Sequence, residues 1–170
     1  RAGMRFPAWL PTQPEWTSRV AWCYGDLGVS VALLSAATAT GRDDWREDAI
    51  ELARESARRP PESSQVIDAG LCHGAAGVAH LFNRLAQATG DAELARAADA
   101  WFVRTLAMRR DDAIAGFPRA QPKDGAAGWE AVPDLLTGAS GVALALHAAI
   151  SAIEPAWDQL LLADLAPRRS

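Results

Sequence analysis

The sequence predicts an all-α fold built from repeated helical hairpins. Three observations carry this prediction: a short glycine motif occurs three times, an apolar segment follows each copy, and amphipathic segments follow the first two. No segment alternates between apolar and polar residues as strongly as a half-buried β-strand does. Internal repeats of this kind are typical of stacked helical units. Such hairpins either stack in a line or close into a ring.

The repeated motif has the form G-x-x-G-V and precedes a run rich in Ala, Leu and Val. The three copies begin at Gly25, Gly74 and Gly138. A glycine pair permits a tight turn and a close backbone approach at the start of a helix. Residues 27–40, 75–89 and 139–153 are apolar on nearly all sides, so we predict buried inner helices there.

Two further segments read as outer helices. Residues 44–58 and 91–109 carry charges on one face and Ala, Leu, Ile or Trp on the other, which is typical of half-exposed helices. Asp43 and Asp91 are the predicted N-caps of these helices, because a short acidic side chain can accept bonds from free helix amides.

The ends of the helices also have signals. Gly41 and Gly90 are predicted to end the first two inner helices. Pro60 and the proline after it end the first outer helix. The stretch 111–134 is rich in Gly and Pro, and we expect either a functional surface loop or a mobile one.

Composition narrows the class of protein. The 170 residues suit one domain, 1–170, and the net charge of −4 argues against nucleic acid as a partner. We expect no signal peptide and no membrane span, because the sequence has neither a signal-like start nor a long uninterrupted apolar run. We expect a cytoplasmic location. In that reducing compartment, two cysteines are more typical of metal ligands or catalytic groups than of a disulfide.

Superposing the repeats identifies a candidate metal site. Cys23, Cys72 and Leu136 fall at one position, two residues before the first glycine. Tyr24, His73 and Thr137 fall at the next. Equivalent positions in adjacent repeats point to the same end, so the only two cysteines should converge beside His73. Two thiolates and an imidazole suit Zn²⁺ and leave a fourth position open, as in catalytic sites. The alternative is a pair of inert buried cysteines.

Other side chains near this site are less informative. His80, on the second inner segment, is either a satisfied core histidine, which we favour, or a polar group that lines the site. Trp22 stands beside Cys23 and is a candidate to line a pocket. His147 lies away from the glycine end, and we interpret it as structural.

Several motifs resemble the signatures of the lanthionine synthetase C-like family. They are WCYG at 22–25, GLCHG at 70–74 and LLTGASG at 135–141. The ending WDQLL at 157–161 is also similar. The order of the motifs and the rough spacing of the cysteines match, and the resemblance extends from Trp16 onward.

The resemblance implies an α/α toroid of paired helices in two concentric layers, of which this chain forms the C-terminal part. Carried over residue by residue, it makes Cys23, Cys72 and His73 the zinc ligands. Tyr24 matches a residue close to the metal, and Arg19 falls where the family often has an active-site arginine.

The implied activity is a zinc-dependent peptide cyclisation in lantibiotic biosynthesis. A cysteine thiol of a dehydrated precursor peptide adds to dehydroalanine or dehydrobutyrine, and a (methyl)lanthionine thioether ring results. A lanthipeptide dehydratase is the possible partner. Family members have more hairpins than this chain, including one with a histidine that acts as acid or base. That histidine is not visible here, and His80 is the internal candidate for the proton donor.

Two other functions remain open from the sequence. One is a zinc-stabilised helical binding module or an inactive family relative. The other is a carbohydrate enzyme built from helical hairpins, which needs two carboxylates on either side of a bond. Asp68, Glu130 and Asp134 are its candidate acids, although nothing in their spacing favours that role.

Overall fold

The computed structural model describes residues 5–9, 18–121 and 128–167. Its α-helices are α1 (Gly25–Thr40), α2 (Asp43–Ala57), α3 (Ala75–Thr89), α4 (Ala92–Ala107) and α5 (Ala139–Ile150). Short 3₁₀ helices span Pro61–Ser63, Ile114–Gly116 and Ala156–Leu161. The two-residue strands β1 (Arg119–Ala120) and β2 (Trp129–Glu130) pair antiparallel. The all-α prediction is therefore confirmed.

The helices form two layers. Helix α1 packs on α2, and α3 packs on α4, so the first two repeats are complete hairpins. Helix α3 also contacts α1 and α5, which makes it the middle member of an inner layer. The outer layer contains α2 and α4. The third repeat differs, because a 3₁₀ helix (Ala156–Leu161) follows α5 where the first two repeats have an outer α-helix.

Most of the predicted helix ends are correct. Gly41 and Gly90 take the left-handed conformation, with φ of 67° and 74°, and end α1 and α3. Helix α2 ends shortly before Pro60. Helix α5 ends at Ile150, earlier than predicted, because Ser151 is extended. The Ser151 hydroxyl accepts a bond from the amide two residues later, which favours a turn over further helix.

One of the two predicted N-caps is wrong. Asp91 caps α4, and its carboxylate accepts bonds from the amides of Glu93 and Leu94 at 2.8 and 3.1 Å. Asp43 instead lies inside α2 as its first residue. Arg42 occupies the N-cap position in an extended conformation without a side-chain cap. Asp43 therefore acts through its charge in the first turn, where a carboxylate favours the positive helix end.

The prediction of fully buried inner helices holds only for α3. Eleven of its fifteen residues are buried, including Leu81, Phe82 and Leu85. Helices α1 and α5 are buried on one face only, since each lies at one end of the inner layer and contacts α3 from one side. None of the helices in the described ranges has both the length and the apolar character needed to cross a bilayer.

Candidate metal centre

The loops that precede the three inner helices lie side by side. The Trp22 amide donates to the carbonyl oxygen of Cys72 at 3.1 Å, and the Cys72 amide donates to the carbonyl oxygen of Leu136 at 2.8 Å. The second bond joins two positions that the repeat alignment makes equivalent, and the first joins Cys72 to the residue just before the equivalent Cys23. The prediction that the glycine ends of the repeats lie together is therefore confirmed, and the Cys72 backbone is held from both sides.

The second glycine of each motif sets the shape of its loop. A Cβ atom at Gly28, Gly77 or Gly141 would lie 2.1, 1.8 or 1.9 Å from a backbone carbonyl oxygen. In each case that oxygen belongs to the residue six positions earlier. These separations are far below van der Waals contact, so only glycine lets the helix start so close to its own loop. The same turn forms whether or not it carries a cysteine.

The three predicted ligands lie together at this end of the molecule. Each of Cys23, Cys72 and His73 offers one ligand atom, and these atoms all lie within 4.8 Å of one another. Cys23 is exposed, the other two side chains are half-buried, and both cysteines are free thiols. Two sulfurs and one imidazole nitrogen fit the donor set of a zinc site with one open position. Their role as ligands stays a prediction.

The two thiols have different proton affinities. The hydrogen bond from Cys72 is the largest cause that lowers the pKa of Cys23, to about 5, with His73 lowering it further against the effect of burial. The pKa of Cys72 is raised by the same hydrogen bond, by burial and by the nearby charge of Cys23. Cys23 is thus the more acidic of the two thiols, and Cys72 is the donor in the hydrogen bond between them.

The two predicted catalytic side chains lie on either side of Cys23 in the sequence. Tyr24 is half-buried and occupies the N-cap position of α1, with extended backbone angles. Arg19 is half-buried, and its positive charge acts to lower the pKa of Cys72. The Arg19 Nε is shielded from solvent and has no hydrogen-bond partner among the described residues. A negative charge near the thiols would therefore meet an available cation.

Asp68, which the sequence suggested only as a candidate acid of the carbohydrate alternative, instead shapes the candidate metal site. Its buried carboxylate accepts bonds from the amides of Gly70 at 3.2 Å and Ala120 at 3.0 Å. The first bond shapes the loop that carries Cys72, and the second ties that loop to β1. The signal was present in the alignment of the repeats, where Asp68 falls at the position of Arg19.

The acids of the carbohydrate alternative all have structural partners. Asp68 is occupied by backbone amides, as described above. Glu130 pairs with Arg119 at 2.6 Å across the two short strands. Asp134 accepts bonds from the amide and hydroxyl of Thr137 at 2.6 and 2.9 Å. Nothing in these contacts favours a pair of catalytic carboxylates.

His80 belongs to a buried polar cluster on the inner face of α3. Its imidazole is fully buried, and Nε2 lies 3.1 Å from Oδ2 of Asp158. The same carboxylate oxygen lies 3.0 Å from Nε of Arg84, and the His80 ring stacks at 4.7 Å on Trp157. His80 is therefore a core histidine. The sequence signal was a His and an Arg four residues apart on a helix with no other ionisable side chain.

An apolar cavity of about 240 Å³ opens beside Cys23. Trp22 lines it, as expected, and its indole Nε1 donates to the carbonyl oxygen of Leu161 at 2.7 Å. The other lining residues are Gly28, Val31, Ala32, Leu161 and Leu162. One wall thus comes from α1 and the other from the C-terminal segment.

Comparisons with known proteins identify the family and the fold. A family model described as "Lanthionine synthetase C-like protein" matches residues 5–162. Among solved structures, nisin cyclase superposes with a TM-score of 0.66 and 20% sequence identity over 91% of this chain. The match covers 34% of nisin cyclase, so the chain spans about a third of that protein's length. No curated protein sequence matches. The likeness confirms that the fold is part of an α/α toroid.

Proposed function

Because the chain belongs to the lanthionine synthetase C-like family, we propose that it acts in zinc-dependent cyclisation of peptides. The reaction is the addition of a peptide cysteine thiol to dehydroalanine or dehydrobutyrine, which forms a lanthionine or methyllanthionine ring. The observation that carries this proposal is the cluster of Cys23, Cys72 and His73, whose ligand atoms lie within 4.8 Å of one another.

In this proposal the two thiols and the imidazole hold the zinc ion. Bound zinc supplies a positive charge that lowers the pKa of a thiol and so provides a thiolate at neutral pH. The exposed side of Cys23 leaves the cluster open to a peptide. The Cys72 backbone, bonded to the neighbouring loops on both sides, keeps the donor atoms in place.

The residues around the cluster handle charge during the addition. A bond forms between the peptide sulfur and the β-carbon, and the electron pair of the double bond moves toward the carbonyl as an enolate. Arg19 can stabilise this negative charge, because its guanidinium is near enough to the cluster to act on Cys72. Tyr24, next to Cys23, orients the peptide. A proton then adds to the α-carbon and completes the thioether.

His80, the internal candidate from the sequence, is poorly placed to be the proton donor. His80 is fully buried and pairs with Asp158. The buried imidazole has no exposed surface to offer a peptide bound beside Cys23. A donor must lie within hydrogen-bond reach of the reacting carbon, so we do not assign this role to His80.

The reaction also implies partners. Dehydroalanine and dehydrobutyrine arise from serine and threonine by loss of water, so a dehydratase must supply the precursor peptide. Free thiols at Cys23 and Cys72 persist in a reducing compartment, which supports a cytoplasmic location.

The metal centre is tested by zinc content. We expect one zinc ion per wild-type chain, because three soft donors converge, and a loss of affinity of about a hundredfold or more in Cys72→Ala. Leu136→Ala is the matched control, because it changes the equivalent position of the third repeat and should leave zinc content unchanged. Zinc retained by Cys72→Ala, measured by elemental analysis after dialysis, would overturn the ligand assignment.

The activity is tested separately with a dehydrated precursor peptide. Thiol alkylation followed by mass spectrometry counts the cysteines that remain uncyclised. We expect slow, zinc-dependent loss of free thiols with the wild type, because the histidine that acts as acid or base in the family is not visible in this sequence. We expect none above the uncatalysed rate with Cys72→Ala. Zinc binding without cyclisation would favour the alternative, a zinc-stabilised binding module. That alternative is supported by the burial of His80 and by the match to only 34% of nisin cyclase.

A further inference from the structure

We propose that the apolar cavity beside Cys23 is a subsite for one apolar side chain of the peptide, next to its reacting cysteine. The inference rests on the proposed function, and it adds a determinant of substrate choice. The cavity and the candidate metal centre share Cys23, so a group in the cavity contacts one member of the ligand cluster. A side chain held there would bring the neighbouring peptide cysteine to the same place.

The size of the cavity suits a single side chain. Its volume of about 240 Å³ is below the roughly 300–1,000 Å³ of pockets that enclose a whole small molecule. Its floor is the buried Val31, and Ala32 lies exposed at one edge. Because Nε1 of Trp22 already donates to Leu161, the indole offers the cavity an apolar surface without an unpaired polar group.

The C-terminal wall of the cavity is anchored on both sides of Leu161 and Leu162. Before them, Asp158 is buried and pairs with Nε of Arg84 at 3.0 Å. After them, Nη2 of Arg84 donates to the carbonyl oxygen of Leu165 at 2.8 Å. One buried arginine on α3 therefore fixes both ends of the wall. A wall that is already ordered adds little entropic cost when a side chain binds.

The test uses isothermal titration calorimetry to compare the affinities of four short capped peptides for the zinc-containing chain. One has leucine before the cysteine, one has leucine after it, and one has glycine on both sides. A fourth replaces the cysteine with serine. We expect one leucine peptide to bind about tenfold tighter than the glycine peptide, because its side chain leaves water for an apolar cavity.

Two variants locate that preference. Ala32→Leu places a side chain into the cavity, and Leu162→Ala removes part of an exposed wall without touching the core. Each should bring the ratio of leucine to glycine affinities close to one. Ala39→Leu is the control, since it adds the same side chain at an exposed position of α1 that does not line the cavity.

The outcomes separate this inference from the proposed function. The subsite would be overturned if leucine and glycine peptides bound the wild type equally, or if Ala32→Leu left the ratio of their affinities unchanged. In either case, binding that requires the peptide thiol would still support the metal centre. Two other results would instead overturn the proposed function on which the subsite depends. One is a serine peptide that binds as tightly as its cysteine counterpart, and the other is a purified wild-type chain that contains no zinc.

Discussion

The second and third repeats share one turn and differ in almost everything that the turn supports. Gly74 and Gly138 have nearly identical backbone angles, with φ of −103° and −105° and ψ of −179° and −176°. A Cβ atom added at Gly77 or Gly141 would lie only 1.8 or 1.9 Å from a backbone carbonyl oxygen. Yet the second repeat carries Cys72 and His73 where the third carries a leucine and a threonine.

The supporting structure differs in the same way. Helix α3 is enclosed by its neighbours and is followed by an outer helix, whereas α5 buries one face and precedes a 3₁₀ helix. Within α3, His80 and Arg84 form buried polar contacts. The aligned positions of α5 are Leu144 and Ala148. The glycines therefore specify the turn by sterics, and the side chains at and behind it decide whether it can hold a metal.

The largest loss of stability is expected from adding a side chain to the second glycine of the motif in the second repeat. In Gly77→Ala the new methyl group would lie 1.8 Å from the carbonyl oxygen of Leu71, inside a fully packed region. We expect the free energy of unfolding to fall by more than about 4 kcal/mol, or folding to fail. Gly141→Ala creates a similar clash at the end of the inner layer. Because α5 can shift there, the loss of unfolding free energy should be smaller. Urea denaturation followed by circular dichroism measures both, and equal losses would contradict the comparison.

An intermediate loss of stability is expected from the buried cluster in which His80 and Arg84 of the second repeat meet Asp158 of the C-terminal segment. Asp158→Ala leaves Arg84 and His80 buried without their carboxylate, and should cost about 3 kcal/mol of unfolding free energy. Glu154→Ala removes another acidic partner of Arg84, but that side chain is 55% exposed. Its loss should cost less than about 1 kcal/mol. Thermal unfolding distinguishes the two, and similar costs would show that burial of the Asp158 pair is unimportant.

The smallest effect concerns the cap that starts the outer helix of the second repeat. Asp91→Ala removes two bonds to helix amides and a pair with Arg54, and should cost about 1 kcal/mol. Asp43→Ala is the control, because Asp43 caps nothing and should cost roughly 0.3 kcal/mol. Guanidinium titrations of the two variants measure these values.

The cost of the Asp91 substitution should also depend on pH. Burial raises the pKa of Asp91, but the bonds from Leu94 and Arg54 outweigh it and leave that pKa below its usual 3.8. A lowered folded-state pKa contributes stability above 3.8 and loses it as pH falls through the folded value. The difference between wild type and Asp91→Ala should thus be constant near neutral pH and shrink below pH 3.8. A difference that grows on acidification would show that the charge of Asp91 is not stabilising.

Much of the fold follows from local rules that can be read in the sequence. Gly41 and Gly90 end helices because a left-handed residue without a Cβ costs little. The repeated glycine motif marks the start of every inner helix. The alignment of its copies also anticipated that Cys23 and Cys72 would lie in neighbouring loops, because equivalent positions in adjacent repeats must face the same way.

Other features depended on contacts between distant parts of the chain. No periodicity distinguishes the enclosed α3 from the half-exposed α1 and α5, because burial depends on which neighbours pack on each side. The cavity beside Cys23 exists only because Leu161 returns to Trp22 from the far end of the chain. Asp158 selects where that return occurs, since a buried carboxylate is stable only beside Arg84 and His80. The sequence alone determined the turns and the donor atoms, and tertiary packing decided what surrounds them.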